Sequence, residues 1–228
     1  RHAVKQFTEF EPFQQTFAPN GRAPETGELI KLQDHAKTLE AIADSSGESF
    51  YRGAIAEAIV EDSKNNGGTL TISDLASHQA EWVNPISMSA FGAELKEIPP
   101  NGQGLMALIS LGILKNCLDN EDVDSADSIH MQIEAQRIAY SEIAAHLADP
   151  HHMVVSAEQL LDPAYLRSRA SELKRDRSNP NPVALGASED TVYLSTCDSD
   201  GLMVSMIQSN YRGFGSGIVN PGTCISMH

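Results

Sequence analysis

Residues 190–217 hold the side chains with the clearest chemical potential. Thr191 follows Asp190 at the end of a polar linker and opens a stretch whose alternation is typical of a β-strand. A threonine inside a chain is a poor nucleophile, but at a new N-terminus its free α-amine can accept the hydroxyl proton. Exposed flexible linkers are also where chains are cut. The pattern therefore predicts a protein that cleaves its own Asp190–Thr191 bond and uses Thr191 as the nucleophile.

A β-hairpin is predicted to position this threonine. Residues 192–197 and 202–208 alternate apolar and polar side chains, and Asp198-Ser199-Asp200-Gly201 between them is a typical hairpin turn. The nucleophile is thus expected at the first residue of the first strand. The preceding residues, 174–190, have little apolar content and predict an exposed linker.

The remainder of the chain predicts mainly helices with a second, short hairpin. Residues 1–28 are rich in proline and glycine and predict an irregular segment. In the longest helix, Glu134, Arg137 and Glu142 are expected to form a solvated charged face. Apolar spacing and turn residues predict helices from Asp34 up to Ser45, from Phe50 up to Asn65, and at Ser73–His78, Leu105–Leu114, Ser128–Ala148, Ser156–Leu161 and Pro163–Ser171. Ser73 is predicted to be the N-cap of its helix. The two strands of the short hairpin are predicted at Ile86–Ser89 and Glu94–Ile98.

Neither a disulfide nor a metal site is predicted. Cys117, Cys197 and Cys224 are odd in number and lack ligand spacing, so each is expected to be a small buried apolar residue. His151 and His152 are adjacent, but no cysteine or carboxylate stands at a metal-ligand spacing from them. No cofactor is predicted either.

Composition excludes several classes of partner. The chain has 228 residues and a formal net charge of −15, which repels nucleic acid and anionic lipid. No segment approaches the roughly 18 consecutive apolar residues of a membrane span. Neither a signal peptide nor a lipidation motif is recognised in these residues. Because Arg1 is not expected to be a natural start, the compartment stays open between periplasmic or secreted and cytoplasmic.

Four separated motifs resemble those of γ-glutamyltransferases, the N-terminal-nucleophile hydrolases that act on glutathione. The resemblance implies an α+β fold, the αββα four-layer sandwich, of which only part is present here. It also implies that residues 1–173, mostly helical with a short hairpin, are the later part of a large subunit, that 174–190 form a linker ending at the cleavage site, and that 191–228 begin the small catalytic subunit. The motifs are Phe50-Tyr51-Arg52-Gly53, Pro99-Pro100-Asn101-Gly102-Gln103-Gly104, Asp190-Thr191-Val192-Tyr193 and Gly213-Phe214-Gly215-Ser216-Gly217.

The same resemblance implies roles for particular residues. Thr191 Oγ would attack the γ-glutamyl carbonyl, and the acyl group would pass to water or to an amino acid or peptide acceptor. Ser209 falls where the family has a second hydroxyl bonded to the nucleophile. A substrate-contacting asparagine of many members falls at Tyr211, while Asn210 stands one residue earlier and faces the opposite side of a regular strand. Cys224 stands where glycine is common.

Other groups implied by the resemblance are expected outside this chain. The arginine that binds the substrate α-carboxylate is expected upstream of Arg1, and the oxyanion-hole segments downstream of His228. Two alternatives stay open. One is an acylase of the same architecture acting on a different amide, such as a glutaryl side chain on a β-lactam. The other is an uncleaved, catalytically silent precursor or scaffold.

Overall fold

A computed structural model describes residues 1–118, 122–178, 192–211 and 213–228. Its helices are α1 (His2–Gln6), α2 (Glu11–Phe17), α3 (Gln33–Asp44), α4 (Glu48–Arg52), α5 (Ala54–Asn65), α6 (Ile72–Ser77), α7 (Gly104–Leu114), α8 (Ala126–His146), α9 (Ala157–Leu160) and α10 (Pro163–Ala170). Its strands are β1 (Ile86–Ala90), β2 (Ala93–Glu97), β3 (Val192–Cys197) and β4 (Met203–Gln208). Both predicted hairpins and most predicted helices are therefore confirmed within a residue or two.

The chain divides into two compact units. The first combines Arg1–Ala80 with Ala187–His228 and contains α1 to α6 and the β3–β4 hairpin. The second, Glu81–Gly186, contains the β1–β2 hairpin and α7 to α10. The predicted subunit boundary between residues 190 and 191 concerns a covalent cut and not packing, so it stays a prediction.

The core of the second unit forms around α7. This helix is apolar on nearly every side, which is typical of a helix buried among other elements. Gly112 lets its neighbours come close, because a Cβ there would lie 2.6 Å from Leu166 Cδ1 on α10 and 3.0 Å from Met88 Cε on β1. The fully or nearly buried side chains that α7 and α8 contribute are Leu105, Ile109, Ile113, Met131, Ala135, Ile138, Ala139 and Ile143.

Two carboxylates on α8 are buried, so the predicted solvated charged face is wrong. Glu134 is 3% exposed and Glu142 is 5% exposed. Glu134 forms an ion pair with Arg137 one helical turn further on. Glu142 accepts a hydrogen bond of 2.7 Å from the Tyr165 hydroxyl and pairs with Arg169 Nη2 at 2.9 Å. A carboxylate can be buried when it is paired and hydrogen-bonded in this way.

Removing the hydroxyl of Tyr165 is expected to destabilise this unit. Tyr165→Phe should lower the free energy of unfolding by about 2 kcal/mol at neutral pH, because the buried Glu142 carboxylate loses a donor. Burial, together with the hydrogen bond to Glu142, raises the pKa of Tyr165 to about 12. Folding therefore favours the neutral phenol. The stabilisation that folding gains from the neutral Tyr165 phenol is fully present below the unfolded pKa of about 10, and it is lost as pH rises toward the folded pKa.

Denaturant unfolding at pH 7 and pH 10.5 measures both effects. The difference between wild type and Tyr165→Phe should shrink at the higher pH. Tyr193→Phe is the matched control, because Tyr193 is 61% exposed and its hydroxyl accepts only a surface hydrogen bond from Ser205, at 3.0 Å. It should change stability by less than about 0.5 kcal/mol. Equal losses for the two variants would contradict the prediction.

Two short helices at 2–6 and 11–17 replace part of the irregular structure predicted for residues 1–28, while residues 18–28 contain no helix or strand. Pro12 was the misleading signal, because it occupies the second position of α2, where a helix needs no N–H. The phenylalanines at positions 7, 10, 13 and 17 recur every three or four residues, which is the helical period. Gln14 Nε2 joins α1 to α2 by donating to the carbonyls of Val4 and Phe7, both at 2.9 Å. Phe13 is fully buried.

The helix predicted from Phe50 up to Asn65 is interrupted at Gly53. The backbone there is extended, with φ −138° and ψ −157°, which separates α4 from α5. A Cβ at this position would lie 2.9 Å from the Cα of Ser49. Only glycine therefore fits the close turn between the two helices, which accounts for the last residue of the first motif.

The N-cap of α6 is Thr71, so the assignment of the cap to Ser73 is wrong. Thr71 Oγ1 accepts from the backbone N–H of Asp74 at 3.3 Å, and Asp74 Oδ2 accepts from the backbone N–H of Thr71 at 2.8 Å. This reciprocal pair is a capping box. The Thr71 side chain and backbone donors hold the pKa of Asp74 below its usual value. The sequence signal was a threonine followed three residues later by an acid.

Candidate active site

The β3–β4 hairpin has the predicted register and turn. The strands pair antiparallel, with Val192 opposite Gln208 and Cys197 opposite Met203. Asp198 Oδ1 closes the turn by accepting from the backbone N–H groups of Asp200 and Leu202, both at 2.9 Å. All residues of both strands are exposed. The first strand begins at the residue that follows the predicted nucleophile.

The two residues of the predicted cleavage site, Asp190 and Thr191, lie outside the described residues. The predicted linker at 174–190 is described as far as residue 178. The roles of these residues in processing and catalysis therefore stay predictions. The described part of the site begins at Val192.

Ser209 follows directly on β4 and is half-buried. Its Oγ accepts a hydrogen bond of 2.9 Å from the backbone N–H of Tyr211. A hydroxyl that accepts from an N–H still carries its own hydrogen and can donate it to another acceptor. Ser209 therefore has the chemistry of a hydrogen-bond donor to a neighbouring oxygen.

Tyr211 departs from the strand geometry assumed in the sequence analysis. Its φ is +70°, a left-handed value that is uncommon for residues other than glycine. Its side chain is 59% exposed, and its ring stacks on the imidazole of His228 with centroids 5.9 Å apart and planes 29° apart. Since β4 ends at Gln208, strand alternation does not decide which way Asn210 and Tyr211 face. Asn210 is half-buried. The contact of His228 with Tyr211 was not predicted, because nothing in the sequence links His228 to the hairpin.

The glycine-rich motif after Tyr211 forms turns that only glycine accommodates well. Gly213, Gly215 and Gly217 have φ values of +43°, +65° and +80°. A Cβ on Gly215 would lie 2.1 Å from the carbonyl oxygen of Met227. Ser216 donates its backbone N–H to that same oxygen at 3.1 Å. The motif therefore lies against the backbone of residues 225–228.

A buried polar network holds this C-terminal segment to two helices. Asn220 is 1% exposed, and its Nδ2 donates to the carbonyl of Ala58 on α5 at 3.0 Å. Its Oδ1 accepts from Thr223 Oγ1 at 2.6 Å. Thr38 Oγ1 on α3 donates to the carbonyl of Thr223 at 2.8 Å. In the sequence, only the turn signal Asn220-Pro221-Gly222 marks this network.

The three cysteines differ in environment. Cys224 is buried as predicted, and its Sγ lies 3.5 Å from Thr16 Oγ1. Its φ of +56° is a left-handed value that glycine adopts readily, which agrees with the glycine that the resemblance implies here. Cys117 is half-buried, and Cys197 is exposed, so the prediction of burial is wrong for Cys197.

A cavity of about 730 Å³ adjoins the C-terminal segment. Its walls come from residues 9–12, 59–70 and 216–228, and they include His228, whose ring also stacks on Tyr211. The carboxylates in its lining belong to Glu9, Glu11 and Asp62. The volume is that of a small-molecule pocket. The acidic side chains give its walls an affinity for cationic groups.

The described part of the chain contains neither a grouped set of metal ligands nor a membrane-spanning helix. Within ranges 1–118, 122–178, 192–211 and 213–228, no three His, Cys, Asp or Glu side chains are grouped so as to hold a metal ion. In that same part of the chain, no helix has both the length and the apolar character needed to cross a bilayer.

Comparison with known proteins gives a consistent set of relatives. A family model described as Gamma-glutamyltranspeptidase matches residues 1–228. The chain is 35% identical over 213 residues to the oxamate amidohydrolase proenzyme of Klebsiella pneumoniae. The matched region covers 93% of this chain and 40% of that protein. It is 34% identical over 211 residues to the glutathione hydrolase-like YwrD proenzyme of Bacillus subtilis, covering 92% of this chain and 40% of the relative. The chain thus spans well under half the length of these curated relatives.

Solved structures agree with the predicted fold class. The cephalosporin acylase from Bacillus halodurans is 46% identical with a TM-score of 0.90, over 99% of this chain and 42% of that one. The γ-glutamyltranspeptidase of Helicobacter pylori is 26% identical with a TM-score of 0.70, over 82% of this chain and 57% of that one. These matches confirm the α+β prediction, and they confirm that the chain makes up a part of the full fold.

Proposed function

We propose that this chain, which belongs to the gamma-glutamyltranspeptidase family, is part of a self-processing hydrolase or transferase that cleaves γ-glutamyl amides such as glutathione. Cleavage of the Asp190–Thr191 bond would separate large and small subunits of one precursor and free the amine of Thr191. The proenzyme names of the relatives support a precursor of this kind.

The register of β3 and β4 carries the proposal. Val192 pairs with Gln208, and one further step of the same register would pair Thr191 with Ser209. That step belongs to the proposal, because Thr191 lies outside the described residues. It would bring the hydroxyl of Ser209, which accepts from the Tyr211 N–H, beside the Thr191 hydroxyl.

The proposed reaction uses these groups in sequence. Thr191 Oγ attacks the amide carbonyl while the α-amine of Thr191 takes its proton. The C–N bond breaks, the leaving amine receives that proton, and an ester to Thr191 remains. Water or an acceptor amine then attacks the ester, with the α-amine again accepting the proton, and the Thr191 hydroxyl is restored. Ser209 donates a hydrogen bond to Thr191 Oγ throughout.

The described residues favour a donor with an ammonium group. Glu9, Glu11 and Asp62 line the cavity beside the C-terminal segment, and carboxylates attract the α-amine of a γ-glutamyl group or of an amino acid acceptor. His228 connects this cavity to Tyr211, which follows Ser209 by two residues. A γ-glutamyl donor therefore suits the charge of the site better than a glutaryl donor, which lacks that amine.

One observation favours the acylase alternative. Tyr211 occupies the position at which many family members have a substrate-contacting asparagine, and a stacked phenol ring offers fewer hydrogen bonds to an α-amine than a carboxamide does. The similar structure from Bacillus halodurans is named a cephalosporin acylase. We therefore treat a glutaryl-type amide as the second candidate substrate.

Competition between the two donors tests the proposal. We expect the processed protein to release glutamate from glutathione with a kcat/KM at least about tenfold above that for glutarate release from a glutaryl amide, since one charged contact discriminates by that order. Faster glutarate release would assign the protein to the acylases.

Intact-mass analysis tests the silent alternative. Two fragments that meet at Thr191, followed by turnover of either donor, would support the enzyme. A chain that stays whole on incubation and turns over neither donor would identify an uncleaved precursor or scaffold.

A further inference from the structure

Phe214 lies where the glycine-rich motif meets the N-terminal helices. Its ring meets the ring of Phe13 edge-on, with centroids 5.2 Å apart and planes at 82°. It also meets Phe17, with centroids 4.9 Å apart and planes at 60°. These separations are those of favourable aromatic pairs. Phe214 is thus the side chain through which the motif contacts α2.

The surface beneath Phe214 is fixed. Phe13 is fully buried and lies 5.0 Å, centroid to centroid, from both Phe7 and Phe17. Gln14 joins α1 and α2 through its two hydrogen bonds to backbone carbonyls. The aromatic platform formed by Phe7, Phe13 and Phe17 is therefore also held by contacts that do not involve Phe214.

Close backbone approaches hold the motif on both sides of Phe214. A Cβ on Gly215 would lie 2.1 Å from the Met227 carbonyl oxygen, and one on Gly217 would lie 2.4 Å from the ring of Phe7. The carbonyl of Phe214 accepts from Ser226 Oγ at 3.2 Å. The two glycines contribute no side chain, so Phe214 supplies the anchoring contact to the platform.

The motif lies beside the segment that contains Ser209. A Cβ on Gly215 would lie 3.4 Å from the Cβ of Asn210, so the Asn210 side chain is next to this glycine. Asn210 lies between Ser209 and Tyr211, and the Tyr211 N–H donates to Ser209 Oγ. A shift of the Phe214 backbone would therefore be transmitted through Gly215 and Asn210 to the Ser209 hydroxyl.

We propose that Phe214 is a positioning residue that sets the location of the Ser209 hydroxyl by anchoring the glycine-rich motif to the aromatic platform. The inference rests on the proposed function, because the reaction it serves is the one assigned to Thr191. Phe214 touches no reacting atom in this proposal and acts through Asn210 and Ser209.

Phe214→Ala tests the proposal in the processed protein. We expect kcat to fall about tenfold with KM within twofold of wild type, since small displacements of a reacting group cost this much or more. The Tyr211 amide, whose hydrogen bond ends on Ser209 Oγ, should exchange its hydrogen faster in this variant. Phe214→Tyr keeps the ring and should restore both properties. Phe214→Leu replaces Phe214→Ala if the alanine variant does not fold.

Phe50→Ala is the matched control. Phe50 is half-buried and lies outside both the cavity and the platform, and its ring meets that of Tyr51 with centroids 4.9 Å apart. This variant should lower thermal stability while kcat and the exchange of the Tyr211 amide stay within twofold of wild type. The same small changes in a folded, processed Phe214→Ala would overturn the proposal. If wild type turns over neither donor, the proposed function fails, and the exchange of the Tyr211 amide still decides whether Phe214 positions this segment.

Discussion

Thr191→Ala is expected to abolish both self-cleavage and turnover. Alanine lacks the hydroxyl and the γ-methyl group of threonine. No oxygen then remains to attack the peptide bond before residue 191 or the amide of a substrate. Residual turnover should fall to the background of the assay, a loss of at least about 10⁴-fold by comparison with removal of other nucleophiles. Intact-mass analysis and glutamate release measure the two losses independently.

Two variants serve as controls for this prediction. Thr191→Ser keeps both hydroxyl and amine and should still be processed. Thr196→Ala removes a hydroxyl from the same strand, opposite Val204 and far from the first residue, and should leave processing intact. A processed and active Thr191→Ala variant would contradict the assignment of the nucleophile, whatever the other two variants do.

Ser209→Ala is expected to reduce kcat about 10²-fold, the usual loss when one hydrogen-bond donor to a developing charge is removed. The substitution deletes the hydroxyl that we propose donates to Thr191 Oγ, and it also removes the acceptor of the Tyr211 N–H. Single-turnover kinetics with glutathione on processed protein would measure the acylation step directly. Ser209→Thr retains the hydroxyl and should recover most of the rate.

Ser205→Ala provides the matched comparison for Ser209. Ser205 lies on β4, four residues before Ser209 and opposite Ser195, is exposed, and donates to the Tyr193 hydroxyl at the strand surface. Its loss should leave kcat within twofold of wild type. If Ser209→Ala behaves in the same way, Ser209 has no part in the reaction.

Local patterns accounted for the elements that depend on neighbouring residues. The β3–β4 hairpin was predictable because alternation and the Asp198–Gly201 turn act over short distances, and β4 ended where it was expected, at Gln208. The helices α1 and α2 were missed because Pro12 was interpreted as a turn signal, when proline near a helix start is equally compatible with a helix.

Long-range contacts explain the remaining differences. Glu142 is buried because Tyr165, 23 residues away, and Arg169 supply its partners, and no pattern within α8 signals them. Thr38 and Thr223 are 185 residues apart in the chain, yet they share a buried hydrogen bond beside the site segment. At the site, counting along the hairpin identified Ser209, while the left-handed backbone of Tyr211 and its stacking on His228 required the fold.

The exposure of β3 and β4 on both faces has a thermodynamic consequence. Leu194, Val204 and Ile207 are 44%, 50% and 64% exposed, and an unsupported two-stranded ribbon is only marginally stable in water. The strand that begins beside the proposed nucleophile therefore depends for its rigidity on what packs against these apolar side chains. Replacing them with polar residues, away from any reacting atom, would slow maturation and turnover together by letting the ribbon fray.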